Sequence, residues 1–134
     1  MKRFMVCCIL FIGLPSFAAP SGNIVEVTKR LRLSSAEAMP PKDYFIDVGT
    51  KHGINEGSVL EVKRVILAMD RFSGMGRHFI PIVLGELRVV AAGEYSSIAR
   101  VHSQRSLDQL PSMDYSVFML GDSVEMKSAL PFQP

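Results

Sequence analysis

From Ile24 onward, apolar residues recur at a period of two in short stretches cut by glycine and proline, and no amphipathic run of helical period reaches ten residues. Tyr44, Ile46 and Val48 alternate with Phe45 and Asp47, which predicts a strand ending at Gly49 to Gly53. Ile54 to Ser58 reads as a tight turn anchored by its apolar first residue. A strand follows over Val59 to Leu67, with Leu60 and Val62 set against Glu61 and Lys63. Asp70 to His78 is polar, glycine-bearing and basic, a loop joining this strand to Phe79 to Val83. Pro81 cannot donate to a sheet ladder, so it marks an edge or a bulge. Gly85 opens a further strand, Glu86 to Ala91, and the turn Gly93 to Tyr95 leads to another over Ser96 to Val101.

The remaining segments are assigned in the same way. Val25, Val27, Lys29, Leu31 and Leu33 share one face of a strand over Ile24 to Leu33. Ser34 to Met39 suits one helical turn, stopped by Pro40-Pro41. Ser103 to Met113 is an excursion or a short helix, and Tyr115 to Met119 with Ser123 to Met126 forms a closing pair. The expected fold is all-β: a small, mostly antiparallel barrel or sandwich with a long hairpin and little helix. It occupies residues 19–127 as a single domain, with a loosely held tail at 128–134.

Residues 1–18 read as a secretory signal peptide. Lys2 and Arg3 precede the apolar run Phe4 to Leu14, Pro15 breaks it, and Ser16-Phe17-Ala18 supplies small residues for cleavage after Ala18. The run is too short to span a bilayer as a helix, so no integral span is expected in the mature chain. Cleavage removes both cysteines, Cys7 and Cys8, and the only two charges of that segment. The mature chain then holds 13 basic and 13 acidic residues. With no net charge and no basic stripe, nucleic acid is not an expected partner. Disulfides, thiol nucleophiles and cysteine-bound metals are excluded for the processed protein. The expected location is the periplasm.

Catalytic patterns are missing from the sequence. His52, His78 and His102 have no ligands at zinc-motif offsets, so no metal or cofactor is expected. There is no G-x-S-x-G elbow, and Gly74-Met75-Gly76 lacks the rest of a phosphate loop. Asp43, Asp47, Glu56 and Glu61 cluster in sequence, but Asp47 and Glu61 alternate with apolar residues as an exposed strand face does. The expectation is a protein that is not an enzyme.

The hairpin is the feature that stands out. Val65 to Met69 runs apolar without alternation, and Phe79, Ile80, Ile82, Val83 and Leu84 face it, so both faces of a two-stranded ribbon are apolar. One face can lie on the barrel; the other needs a cover. A protein partner, a second copy, or the Ser103 to Met113 excursion would supply it. Ile66, Met69, Arg71, Phe72, Arg77, Phe79 and Ile82 are the expected partner-binding residues, mixing aromatic and arginine anchors.

Two stretches share a grammar: Glu56-Gly57-Ser58-Val59-Leu60-Glu61-Val62 and Leu120-Gly121-Asp122-Ser123-Val124-Glu125-Met126. The first belongs to a longer segment, Asp43 to Val62, whose turn Val48-Gly49-Thr50-Lys51-His52-Gly53-Ile54-Asn55-Glu56-Gly57 carries glycines at fixed offsets. This segment, with Leu84 to Val90, Ser97 to Val101 and Leu120 to Glu125, resembles the β-barrel module at the C-terminal end of the flagellar H-ring protein FlgT and related envelope proteins. The resemblance implies a structural, non-catalytic role in an envelope assembly, flagellar or other. A periplasmic ligand-binding or inhibitor barrel acting alone is the alternative.

Overall fold

The computed structural model describes residues 19–36, 38–72, 74, 76–113 and 117–127. The expected signal peptide and the 128–134 tail lie outside them. The described chain forms six strands: β1 (Ser21–Lys29), β2 (Lys42–Ile46), β3 (Val59–Asp70), β4 (Gly76–Ala92), β5 (Ser97–Gln104) and β6 (Ser123–Met126). All their pairings are antiparallel, and the order β1-β2-β5-β4-β3-β6 closes on itself. The fold is therefore a small all-β barrel with a long hairpin, and closure removes open edges around the barrel itself.

Alternation puts one side of each strand inside. Tyr44, Ile46, Leu60, Val62, Leu87, Val89, Ala99 and Val124 are buried, as the period-two pattern requires. Ile54, the apolar residue before the tight turn, is fully buried and plugs the interior. Leu110 and Met113 of the Ser103 to Met113 excursion pack against this core, and a 3-10 turn at Leu107–Gln109 shapes that segment.

Five expectations are corrected. In β1 the inward residues are Ile24 and Val27, whereas Val25 is exposed. A bulge between Ile24 and Glu26 inserts one residue opposite β2 and shifts the phase of alternation. The strand stops at Lys29, leaving Leu31 and Leu33 in an exposed connector. Phe79 to Val83 and Glu86 to Ala91 are parts of one 17-residue strand, because a second bulge takes up Leu84 and keeps the ladder with β3 running past Gly85. Finally, β6 does not pair with the segment before it. It inserts between β1 and β3 and closes the barrel, while residues 117–119 carry no strand and Tyr115 lies outside the described residues. Ser34 to Ala36 forms a turn in which the Ser34 hydroxyl accepts the Ala36 N–H, where a helical turn was expected.

The glycine-spaced turn has a plain structural explanation. At Gly57 φ is 83°, as it is 81° at Gly53, a left-handed conformation costly for residues with a Cβ. Around Gly49 the obstacle is space: a Cβ there would overlap the backbone of Gly93 and Ser96. That close approach lets Thr50 and Lys51 donate their N–H groups to the carbonyls of Gly93 and Glu94, at 2.8 and 3.1 Å, which ties the β2–β3 turn to the β4–β5 turn. The two similar stretches, Glu56 to Val62 and Leu120 to Met126, are both turn-to-strand entries. Their strands lie side by side, with Glu61 opposite Glu125 and Val62 opposite Val124.

Candidate docking ribbon

The barrel supports only the first part of the long hairpin. β6 pairs with β3 from Leu60 to Lys63, and β5 pairs with β4 from Gly85 to Ala92. Beyond Lys63 and Leu84, β3 and β4 pair with each other as far as Asp70 and Gly76 and have no other strand neighbour among the described residues. At about 3.4 Å per residue, this two-stranded arm extends roughly 20 Å from the barrel.

The root of the arm is clamped. Arg64 places Nε and Nη2 on the two carboxylate oxygens of Asp122, each at 2.7 Å, and Nη2 also donates to the Val117 carbonyl at 2.8 Å. Asp122 is 3% exposed and also accepts the Met119 N–H at 2.9 Å. Bidentate contact of this kind fixes direction as well as distance. Through it, the arm's first residue is bound to the turn that leads into β6. The Asp122 carboxylate also acts on Tyr44, whose hydroxyl is held above the ordinary phenol range first by burial and then by that negative charge. The Tyr44 ring packs edge-on against Phe118, with centroids 5.9 Å apart.

The two faces of the arm differ. On the side continuous with the barrel interior lie Arg64, Ile66, Ala68, His78, Ile80 and Ile82, of which Ile82 packs on the core and Ile66 is half-buried, while Ile80 and His78 nearer the tip are exposed. The opposite side carries Val65, Leu67, Met69, Arg77, Phe79 and Pro81 in register. All of these except arginine and proline are large hydrophobic side chains, and they remain exposed: Met69 by 63% and Phe79 by 67%. Phe72 at the tip is fully exposed, and the Asp70 carboxylate turns the tip by accepting the Phe72 N–H.

Sequence reasoning thus brought the right segment forward but did not separate its faces. Met69, Arg77 and Phe79 lie together on the exposed side, with Arg71 and Phe72 at the tip. Ile66 and Ile82 lie on the other side, and Ile82 contributes to the fold. Val65, Leu67 and Pro81 complete the exposed stripe. The signal that assigns them is the barrel alternation carried outward: Leu60 and Val62 point inward, so Glu61, Lys63, Val65, Leu67 and Met69 point out. The Ser103 to Met113 excursion does not cover this stripe, because Leu110 and Met113 are spent on the core.

The titratable candidates are placed in ordinary structural roles. The His52 ring accepts the Gly49 N–H at 3.2 Å, and His78 and His102 are exposed. Asp43 is bound by Arg100 at 2.7 Å, Asp47 accepts the Asn23 N–H at 2.6 Å, and Glu61 lies 3.1 Å from Lys63. Glu56 is exposed in its turn. Among the described residues, no three His, Cys, Asp or Glu side chains gather as metal ligands would. A cleft of about 400 Å³ is lined by Lys29, Arg30, Pro40, Pro41 and the Asp43–Arg100 pair, whose charges offset one another. No helix among the described residues is long and apolar enough to cross a membrane.

No protein-family model matches the chain, and no curated protein matches it in sequence. The class is therefore given by the fold itself: a closed, six-stranded antiparallel barrel bearing a long two-stranded arm.

Proposed function

We propose that this protein is an exported, non-catalytic docking module, a periplasmic scaffold component of an envelope assembly, and that the β3–β4 arm is its partner-binding element. The observation that carries the reading is the stripe Val65, Leu67, Met69, Phe79 and Pro81, large apolar surface held in water on an arm with no further strand neighbour among the described residues. Contiguous exposed apolar surface of this kind marks interaction sites, and flanking Arg71, Arg77 and Phe72 are typical anchors of protein interfaces. The resemblance to flagellar H-ring barrels favours an envelope machine as the setting. Packing also favours docking over ligand carriage, since Ile24, Ile46, Ile54, Leu60, Leu84 and Leu87 fill the barrel interior.

Export is supported by the signal pattern of residues 1–18 and by the start of β1 at Ser21, just after the expected cleavage point. One experiment tests both parts. Protein recovered from an envelope fraction is expected to begin at Ala19 or Pro20 and to bring a partner with it. Phe79→Asp is expected to begin at the same residue and to come alone. Full-length protein retained in the cytoplasm would overturn export, and equal recovery of partners by the variant would overturn the docking role.

A further inference from the structure

Beside the cleft of Lys29 and Arg30 lies a second, of about 360 Å³, which shares Pro41 and Arg100 with it. Tyr44, Phe118 and Val101 line this second cleft, with Lys42 among them. Tyr44 is 2% exposed, yet its hydroxyl makes no hydrogen bond among the described residues. Nor is that oxygen sealed inside: among the described residues, only the Ser97 hydroxyl is fully buried without a partner. The Tyr44 hydroxyl is therefore a donor open to the cleft, kept protonated first by burial and then by the Asp122 charge. Asp122 is itself offset by the bidentate Arg64. The rim is cationic. Lys42 stands opposite Lys29 in the β1–β2 register, a like-charge pair that destabilises a sheet unless an anion offsets it. Neither lysine has an ion-pair partner among the described residues. Across the two clefts Lys29, Arg30, Lys42 and Arg100 are set against one carboxylate, Asp43, which Arg100 already holds through Nε at 2.7 Å.

We propose that this cleft is a binding site for a small organic acid, an anionic head on an apolar body. The head is taken by the Tyr44 hydroxyl and Lys42, and the body by Phe118, Val101 and Pro41. The lining assigns the ligand. A largely buried phenol without a partner favours an acceptor, because an unmade hydrogen bond is costly there. An ionised acid group accepts from phenol and ammonium together, in charge-assisted bonds stronger than neutral ones. It also offsets the Lys29–Lys42 repulsion, which a neutral ligand leaves in place and a cation worsens. Apolar walls with a few polar groups that fix orientation are the usual form of small-molecule sites, and the volume is within their range. Because core side chains fill the barrel interior, the ligand lies in a surface cleft rather than as enclosed cargo. The site stands apart from the arm and does not rest on the arm's docking role.

Titration of isotopically labelled protein, expressed from the full chain, with 3-phenylpropionate tests this by amide chemical shifts. Saturable shifts are expected at Lys42, Tyr44, Val101 and Phe118, with a Kd in the low millimolar range, about 5 mM or below for so small a ligand. The neutral amide of the same acid, and acetate, which has the charge without the body, are each expected to bind at least about tenfold more weakly. Phenylethyl phosphate is titrated in parallel, and the tighter of the two acids identifies the head group. Tyr44→Phe removes one oxygen that has no partner in the fold, so its melting curve is expected to match wild type while affinity falls about tenfold. Lys42→Gln is expected to weaken binding about threefold or more, and Lys42→Glu to abolish it. No saturable shift by about 20 mM of either acid would overturn the proposal. So would an amide that binds as tightly as the acid, or affinity unchanged in folded Tyr44→Phe and Lys42→Gln. Shifts confined to Met69 and Phe79 would overturn it too, since the probe would then rest on the arm's apolar stripe and not in the cleft.

Discussion

Replacing Arg64 with leucine is expected to cost the fold about 3–5 kcal/mol, the penalty for leaving one member of a buried ion pair without the other. Asp122 is 3% exposed, and its two oxygens take Nε and Nη2 of Arg64 at 2.7 Å each. The same residue accepts the Ile24 N–H at its backbone carbonyl at 2.9 Å, so the turn it occupies also anchors β1. Without the guanidinium, the carboxylate keeps only the Met119 N–H and stays desolvated. The double replacement Arg64→Leu with Asp122→Leu is expected to recover much of the loss, because well-packed apolar side chains often replace a buried pair at little cost. Urea unfolding of the two singles and the double, read as a mutant cycle, measures the coupling. Coupling below about 0.5 kcal/mol would mean that the clamp is a solvated contact of the surface kind.

Two leucines in β3 separate barrel from arm. Leu60→Ala removes a fully buried side chain and is expected to destabilise by about 2–5 kcal/mol through lost transfer energy and the cavity left behind. Leu67→Ala, on the same strand but 45% exposed on the outer face, is expected to stay within about 1 kcal/mol. The comparison belongs at protein concentrations low enough to suppress assembly, since binding adds to apparent stability by mass action. Equal losses at both positions would mean that the arm is packed as core.

The elements easiest to read were those in which alternation runs undisturbed. Tyr44, Ile46 and Val48, then Leu60 and Val62, stand at alternate positions of predicted strands, and the structure buries all five. The tight turns were legible because positive φ at Gly53 and Gly57 is a local demand that glycine answers. Bulges broke the pattern where it was misread. One extra residue in β1 exchanges Val25 for Ile24 at the core, and the extra Leu84 in β4 disguises a continuous strand as two. The position of β6 between β1 and β3 was not legible, because pairing between distant segments leaves no mark in local periodicity. For the arm, composition exposed an apolar excess at Val65 to Met69 and Phe79 to Leu84. Assigning each side chain to a face required the register with the barrel, which is why Ile82 was grouped with Phe79. The Arg64–Asp122 clamp joins residues 58 positions apart and left no signal in the sequence.

The central claim is that the arm is a docking element carried by a self-sufficient barrel. A variant lacking residues 66–80, with Val65 and Pro81 joined by Asn-Gly to match the hairpin twist, tests it most directly. The measurement is affinity recovery from envelope extract beside the wild-type protein, with thermal unfolding of both. The account predicts a variant that melts cooperatively near the wild-type temperature and recovers no partner. A folded variant that recovers the same partners as wild type would contradict it.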